Sequence, residues 1–352
     1  MNICFFNLNL DNPQINATFG GMYRSFWQAL QVIGVEVNFT GSPYGIKADI
    51  VVVPLVEGHE RRAAKAMLNF KGPIILYVTP SFTFFYRKFI KRWGKRILFT
   101  YGTDSSNLTF RKYNSLQIPY YHLPFASDET IFRPLNQAKL YDIVFVGNAN
   151  SGIGRYKYIN LLIETAKKKN WEILLIGNGW DKYGHPFQLV AHGKLLNQIY
   201  NSGKICLNLH NDIQYKGQEY QMDANNRLFD LAMAGCFQIN NASDLIAKYF
   251  DKNEVVAIDD PYQWIEKIDY YLNNESEITL ISQKAREKAL KEHTWHNRAD
   301  AFLKMVDENK LRYSLINQNV NVLLKFTRSI DQYIIPLYKI KKIRFLKKIL
   351  NF

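Results

Sequence analysis

Cysteine is scarce in this chain of 352 residues, which contains only Cys4, Cys206 and Cys236. The three are far apart and lie in apolar stretches, so we expect buried reduced thiols and neither a disulfide framework nor a zinc site. No apolar run is long enough to cross a bilayer, and the first residues carry no basic leader or cleavage site. Low-complexity segments and short repeats are also missing. These absences exclude disulfide-rich and membrane-spanning classes and predict a cytoplasmic protein.

Acidic residues are in the minority, with 31 Asp and Glu against 45 Lys and Arg and a formal net charge of +14. This balance favours an anionic partner, which could be nucleic acid, an acidic lipid surface or a phosphorylated substrate. A hydrophobic content of 47% supports sizeable cores. A chain of this length predicts two domains of roughly 150 residues each.

Apolar runs of strand length alternate with helical patterns, which is typical of α/β domains with parallel sheets. The pattern starts again near residue 142, so we predict two Rossmann-like domains facing across a cleft and a basic helical tail. Pro124 and Pro134 bound a polar turn that would connect the domains. A ligand is expected in the crevice between them, at the carboxyl ends of the strands. The predicted boundaries are 1–134 for the first domain, 135–306 for the second and 307–352 for the tail.

The segment from Asn225 to residue 239 is the most informative part of the chain. Asn225 and Asn226 can cap the start of a short helix, and Gly235 suits the left-handed residue after its end. Arg227 and Asp230 lie one turn apart, so both can face one cleft. An arginine at a helix start can hold a phosphate, and a carboxylate can accept hydrogen bonds from ribose hydroxyls. An ordinary surface ion pair on a packed helix is the alternative.

A glycine-containing loop follows the first predicted strand of the second domain. Gly147 and Asn148 would let the backbone approach a diphosphate, and the next helix start offers N–H groups. Either Arg155 or Lys157 could neutralise a departing nucleoside diphosphate. A flexible basic loop is the alternative reading.

Three motifs carry a resemblance to a known family. The connector contains Pro124, Asp128, Phe132 and Pro134 in a "P…D…F.P" pattern, residues 226–235 are similar to "N.R.FE…CG", and residues 292–299 are similar to "EHT..HRA". With these motifs the chain resembles the GT-B glycosyltransferases, in particular the group 1 glycosyl transferases and their CgeB-like (spore maturation protein-like) branch. The similarity is best from about residue 120 to 306.

The resemblance implies a nucleotide-sugar donor held by the second domain and a glycan or lipid-linked acceptor held by the first. It also implies transfer without an obligatory metal, in line with the lack of an Asp-X-Asp triplet, and we expect no cofactor. We expect retention of the anomeric configuration, with inversion by a base such as His59 or Asp104 as the alternative. Lys157 matches the lysine of the family's "KG" motif, and Asp230 stands where the family usually has glutamate. One departure is Met222, which occupies the place of a second acidic residue found in many group 1 enzymes.

Other candidate residues lie in loops after predicted strands. Gly20 and Gly21 are candidates for an acceptor-side loop, with a plain tight turn as the alternative. For the catalytic contact to the acceptor we consider His59 and Asp104, and for the donor His192 and His210; structural loops are the alternative for each. His293 and His296 have metal-like spacing without further ligands, so we expect a structural role, with Thr294 as an N-cap.

Basic and aromatic residues interleave in two segments, 82–96 and 339–352. Both could be amphipathic helices that lie on an anionic membrane, which would make the protein peripheral on its inner face. Packing of the tail on the first domain is the alternative. Two other functions also stay open at this point: a GT-B nucleotide-sugar epimerase, and a basic nucleic-acid-binding protein, although the tail lacks the arginine-rich pattern expected for nucleic acid.

Overall fold

The computed structural model forms two compact units, residues 1–304 and 305–352. In the second unit, residues 305–311 and 313 are described, and 305–311 are helical. The predicted boundaries at 134 and 306 stay predictions. The structure describes residues 1–6, 24–55, 60–78, 94–105, 115, 117–149, 153–184, 191–210, 213–215, 218–220, 223–311 and 313.

A six-stranded parallel sheet occupies the first part of the chain, in the order β2-β1-β3-β4-β5-β6. Its central strands are continuous apolar runs, as expected when both faces of a parallel sheet are covered. The residues of Ile74–Val78, for example, are all buried. The strands are β1 Asn2–Phe6, β2 Glu36–Thr40, β3 Ile50–Leu55, β4 Ile74–Val78, β5 Ile97–Gly102 and β6 Tyr120–His122, and the helices are α1 over 24–32 and α2 Glu60–Asn69, with a 3₁₀ turn at Gly94–Arg96.

A five-stranded parallel sheet follows, in the order β13-β12-β9-β7-β8. Its strands are β7 Tyr141–Val146, β8 Ile173–Ile176, β9 Gly203–Asn208, β12 Gln238–Asn240 and β13 Val256–Ala257. The helices are α3 Ile153–Lys169, α4 Gly193–Asn201, α5 Asn226–Met233, α6 Ser243–Ile246, α7 Pro261–Leu272, α8 Glu275–Glu292 and α9 over 295–304, with a 3₁₀ turn at Asp181–Tyr183. The α/β architecture predicted from the sequence is confirmed.

The core of the second sheet follows the alternation of side chains along its strands. Val144 faces a cluster that includes Leu228 and Phe229 of α5. Its neighbour Phe145 faces the opposite cluster, which includes Leu162 of α3. Helices therefore cover both faces of the sheet. The three cysteines are buried free thiols, as predicted.

A short hairpin follows β9 in the chain. Ile213–Tyr215 and Gln218–Tyr220 form a short antiparallel hairpin, β10 and β11. The polar composition of this stretch concealed it, because the six strand residues show no regular apolar alternation. The hairpin stands immediately before the segment that leads into α5.

The connector between the sheets is tied to the end of the first unit. Ser127 forms a parallel bridge with Thr294, and its N–H donates to the His293 carbonyl at 3.0 Å. Thr294 Oγ1 accepts from the Asn297 N–H at 3.1 Å, the contact made by an N-cap. The predicted capping role of Thr294 is therefore confirmed.

Each sheet has one topological switch point, where the chain leaves two adjacent strands in opposite directions. It lies between β1 and β3 in the first sheet and between β7 and β9 in the second. Open α/β sheets bind ligands at this place, outside the carboxyl ends of the strands. The residues after β7 and β9 are therefore expected to form a ligand site.

Candidate functional site

The loops after β7 and β8 pack closely at the switch point of the second sheet. Gly177 has a φ of +137°, and a Cβ there would lie 2.4 Å from the Gly147 carbonyl oxygen. A Cβ at Gly147 would lie 3.0 Å from the Arg227 Nη2 atom and 3.0 Å from the Phe145 ring. Glycine at 147 thus leaves room for the Arg227 guanidinium beside the strand end.

The N-terminal end of α5 lies beside the same strand ends. Asn225 is its N-cap and accepts from the Leu228 N–H at 3.2 Å. Gly235, just beyond the helix end, has a φ of +66°. The predicted cap Asn225 and stop residue Gly235 are therefore confirmed, whereas Asn226, the other predicted cap, is the first helical residue and binds Asp230. Unpaired N–H groups at a helix start give the site a positive potential.

Asn208, fully buried at the end of β9, positions two side chains of this helix start. Its Oδ1 atom accepts from Asn225 Nδ2 at 2.9 Å and from Arg227 Nη1 at 3.1 Å. Its own Nδ2 atom donates to Asn240 Oδ1 at 2.7 Å on the neighbouring strand. The buried amides thus hold the Arg227 side chain in one orientation.

Two guanidinium groups share one aromatic ring. The central carbons of Arg155 and Arg227 lie 5.8 and 5.2 Å from the centroid of the Phe145 ring. Arg155 donates to the Leu209 carbonyl at 3.2 and 2.9 Å and to the Asn148 carbonyl at 3.3 Å. Burial, with a further contribution from the Arg227 charge, lowers the pKa of Arg155 to about 9. Two like charges held this close favour an anion that would contact both.

His210 lies directly after Leu209 and is 6% exposed. Neither ring nitrogen makes a hydrogen bond of good geometry to the described residues, although the Asn241 side chain interacts with the ring, and Arg227 Nε has no partner among them. Burial, followed by the charge of Arg227, lowers the pKa of His210 to about 3. The imidazole is therefore neutral at pH 7 and carries one N–H donor and one acceptor nitrogen.

Asp230 is 4% exposed and has both carboxylate oxygens engaged by protein donors. Oδ1 accepts from Ser127 Oγ at 2.7 Å, and Oδ2 accepts from Asn226 Nδ2. Burial raises its pKa to about 8, against the opposing effects of Ser127, Asn226 and Arg227. Asp230 thus anchors α5 to the connector, whereas the sequence suggested an acid exposed to the cleft. Its contact with ribose stays a prediction.

Asn226 has one polar atom left over by this arrangement. Its Nδ2 atom is held by Asp230, and its buried Oδ1 atom has no partner among the described residues. An amide oxygen in this position accepts a hydrogen bond and cannot donate one. The Asn226 Oδ1 atom can therefore accept a hydrogen bond from a donor such as a hydroxyl group.

Asn148 and Lys157 are placed differently from the sequence-based expectation. The Asn148 Oδ1 atom accepts from the Asn178 N–H at 3.0 Å and so joins the loops after β7 and β8. Lys157 is exposed, with its ammonium 5.1 Å from the centroid of the Tyr158 ring. Because residues two apart on a helix do not share a face, the structure pairs Arg155 with Arg227 and not with Lys157.

Of the remaining predicted residues, His192 and Asp104 are described, and three others lie outside the described residues. His192 is the N-cap residue of α4 without a side-chain capping bond; burial lowers its pKa, and its Nε2 atom is buried without a partner among the described residues. Asp104 follows β5, is buried, and accepts from the Tyr120 hydroxyl through its backbone carbonyl at 2.8 Å. Gly20, Gly21 and His59 lie outside the described residues.

The basic aromatic segments are described only at one end. Of 82–96 the structure describes 94–96, and 339–352 lies outside the described residues. Arg96 donates to the Met67 carbonyl at 2.9 Å and to the Phe70 carbonyl, so it binds the C-terminal end of α2. The membrane contact of 82–96 stays a prediction. Within the described residues, no helix combines the length and apolarity of a bilayer span.

Sequence reasoning missed a group of buried contacts between distant residues. His122 at the end of β6 bonds to Asp223, whose carboxylate also accepts from the Tyr249 hydroxyl. Position at a strand end, the signal that had pointed to His59, applies equally to His122. His293 binds the Tyr249 carbonyl and Arg298, each at 3.2 Å, which agrees with the structural role predicted for it. The described part of the chain contains no His, Cys, Asp and Glu group suited to a metal ion.

Comparisons with known proteins bear on the family and the fold of the chain. A family model described as "Glycosyl transferase-like" matches residues 155–304, which include Arg155, Arg227 and His210. No curated protein sequence matches the chain significantly.

Solved structures of glycosyltransferases resemble the whole fold. Anabaena Alr3699/HepE in complex with UDP-glucose is 9% identical with a TM-score of 0.59, covering 88% of this chain and 100% of that chain. The DNA-modifying β-glucosyltransferase is 12% identical with a TM-score of 0.57, covering 87% and 100%. Sucrose-phosphate synthase from Thermosynechococcus elongatus is 12% identical with a TM-score of 0.55, covering 90% and 100%. The chain has the GT-B fold; its place in the CgeB-like branch stays a prediction.

Proposed function

We propose that this protein is a glycosyltransferase that moves a sugar from a nucleotide-sugar donor to a hydroxyl group of a glycan or lipid-linked acceptor. The observation that carries the proposal is the cluster of Arg155, Arg227 and His210 at the switch point of the second sheet. Two cations, a buried imidazole and a helix start converge there, which is the arrangement that binds a diphosphate. The GT-B fold and the family match over residues 155–304 support it.

The donor is proposed to bind with its diphosphate on this cluster. Arg227 would donate through its unpartnered Nε atom, and His210 through its one N–H group. The Asn226 Oδ1 atom would accept from a ribose hydroxyl, with Asp230 holding the amide from behind. This assigns Asp230 a positioning role at the ribose and places the direct contact on Asn226.

The reaction is proposed to retain the anomeric configuration and to need no metal. As the bond between the anomeric carbon and the phosphate oxygen breaks, the diphosphate gains negative charge, and the two guanidinium groups stabilise it. The departing oxygen then takes the proton of the acceptor hydroxyl, which attacks the same face. Inversion would instead require a base from the first sheet, for which His59 and Asp104 are the candidates. An inverted product in NMR spectra would contradict retention.

The acceptor is proposed to be a glycan or a lipid-linked saccharide. The segments 82–96 and 339–352 carry the basic and aromatic residues that favour an anionic surface. Loose attachment to such a surface would bring a lipid-linked acceptor within reach. Sedimentation with anionic vesicles, lost in high salt, is the corresponding observation.

A thermal-shift screen against UDP-, GDP-, ADP-, CMP- and dTDP-sugars tests the proposal without knowledge of the acceptor. A donor present at one hundred times its dissociation constant stabilises the fold by about 2.7 kcal/mol, because it binds only the folded state. We expect one nucleotide class to raise the melting temperature. Binding to none of them, together with a salt-dependent mobility shift of nucleic acid, would contradict the proposal.

A further inference from the structure

His122, Asp223 and Tyr249 form a polar cluster that joins the two sheets. His122 ends β6, the edge strand of the first sheet, whereas Asp223 precedes α5 of the second. The His122 Nε2 atom bonds to Asp223 Oδ2, and the Tyr249 hydroxyl lies 2.6 and 2.7 Å from the two carboxylate oxygens. The contact spans 101 positions of the chain.

The cluster is enclosed on the side of the second sheet and accessible on the side of the first. The Asp223 side chain is 1% exposed, and that of His122 is 23% exposed. A buried carboxylate is costly in free energy unless hydrogen-bond donors contact it. Asp223 therefore stabilises the arrangement of the two sheets in which His122 bonds to it. Separation of the two sheets would leave Asp223 with the Tyr249 hydroxyl and one backbone N–H.

Asp223 is also joined directly to the start of α5. Its Oδ1 atom accepts from the Ala224 N–H at 2.8 Å. The next residue is the N-cap Asn225, and Arg227 follows two positions later. The carboxylate that His122 holds is thus separated by a single residue from the cap of the anion-binding helix end.

We propose that His122, Asp223 and Tyr249 form a latch that holds the two sheets together for sugar transfer. His122 acts through Asp223 and is a positioning residue. The donor contacts lie on the second sheet and its helices, so the latch governs transfer more than donor binding. This inference rests on the proposed function.

A second histidine–carboxylate pair provides a matched control. His296 Nδ1 lies 3.3 Å from Glu129 Oε1, and the two side chains are 44% and 31% exposed. This pair also joins the connector region to a distant helix, but it lacks a buried partner. Exposed pairs of this kind contribute little to stability or geometry.

The test compares His122→Ala, His122→Gln and His296→Gln in the full chain. The donor is the nucleotide-sugar that stabilises the fold in the thermal-shift screen. Calorimetry measures the affinity for its nucleoside diphosphate, and initial rates at saturating concentrations of this donor measure kcat. Hydrogen–deuterium exchange of residues 120–122 and 223–228 reports opening of the latch independently of activity.

We expect His122→Ala to lower kcat at least tenfold while the diphosphate affinity changes less than threefold. Exchange should rise in both segments. His122→Gln keeps a side-chain N–H donor and should restore kcat to within about threefold of the wild type, and His296→Gln should match the wild type.

Wild-type kcat in His122→Ala would overturn the latch, as would equal losses of affinity, kcat and melting temperature that His122→Gln does not rescue. If the wild type binds no nucleotide-sugar, the proposed function fails, and the exchange data still decide the latch. Faster exchange in both segments then supports it, and unchanged exchange refutes it.

Discussion

Replacement of Arg227 by alanine is expected to lower kcat/KM for the nucleotide-sugar by about 10²–10³-fold, the usual effect of removing one positioned donor from a developing anion. The guanidinium lies over the Phe145 ring, is oriented by Asn208 at 3.1 Å, and has an unpartnered Nε atom. Its loss also removes a charge that, after burial, contributes to the lowered pKa of Arg155. Steady-state kinetics with varied donor concentration give the measurement.

Two lysine variants are compared with Arg227→Ala. Lys169→Ala is the matched control, because Lys169 lies at the far end of α3 and forms an exposed ion pair with Asp269 at 3.1 Å. Lys157→Ala tests the sequence-based expectation that Lys157 neutralises the diphosphate. A small effect of Lys157→Ala beside a large effect of Arg227→Ala agrees with the structure. The reverse order would contradict the proposed diphosphate cluster.

Replacement of Asp230 by asparagine is expected to change how stability depends on pH. Burial raises the pKa of Asp230 from 3.8 to about 8, so the folded protein keeps a proton that the unfolded chain releases. The contribution of Asp230 to the free energy of unfolding is therefore largest at low pH. It falls as pH rises toward 8, by at most about 1.4 kcal/mol per pH unit. Asparagine does not titrate and lacks this decline.

The window from pH 6.5 to 8 isolates the effect. The pKa values of His210 and His293 are lowered to about 3 and about 4, and their contribution rises with pH up to the unfolded value of 6.5. Above that value both histidines are neutral in either state. In urea unfolding, the free energy of unfolding of the wild type should fall by roughly 1–2 kcal/mol across this window relative to that of Asp230→Asn. Parallel curves for the two proteins would show that Asp230 titrates normally.

Local rules predicted the elements around the site well. Asn225 and Gly235 act through capping and a left-handed backbone, which depend on neighbouring residues only, and both were predicted correctly. The strands that lead to Asn148 and His210 are apolar runs of ordinary length, so the positions of these residues at strand ends could also be inferred. The fold class followed from the same alternation of strands and helices.

Side-chain partners were harder to predict because they depend on small shifts and on distant segments. The helix α3 starts at Ile153, so Arg155 lies inside it and Lys157, two positions later, lies on a different face. The partner of Asp230 is Ser127, 103 positions away, and no local pattern indicates that contact. The same distance hid the pairing of His122 with Asp223.

A structure of the protein with a bound nucleoside diphosphate tests the central claim most directly. The account predicts the diphosphate within hydrogen-bond distance of Arg227 and His210, beside Arg155, with a ribose hydroxyl donating to Asn226 Oδ1. A diphosphate bound elsewhere, with Arg227 and His210 making no contact to it, would contradict the account.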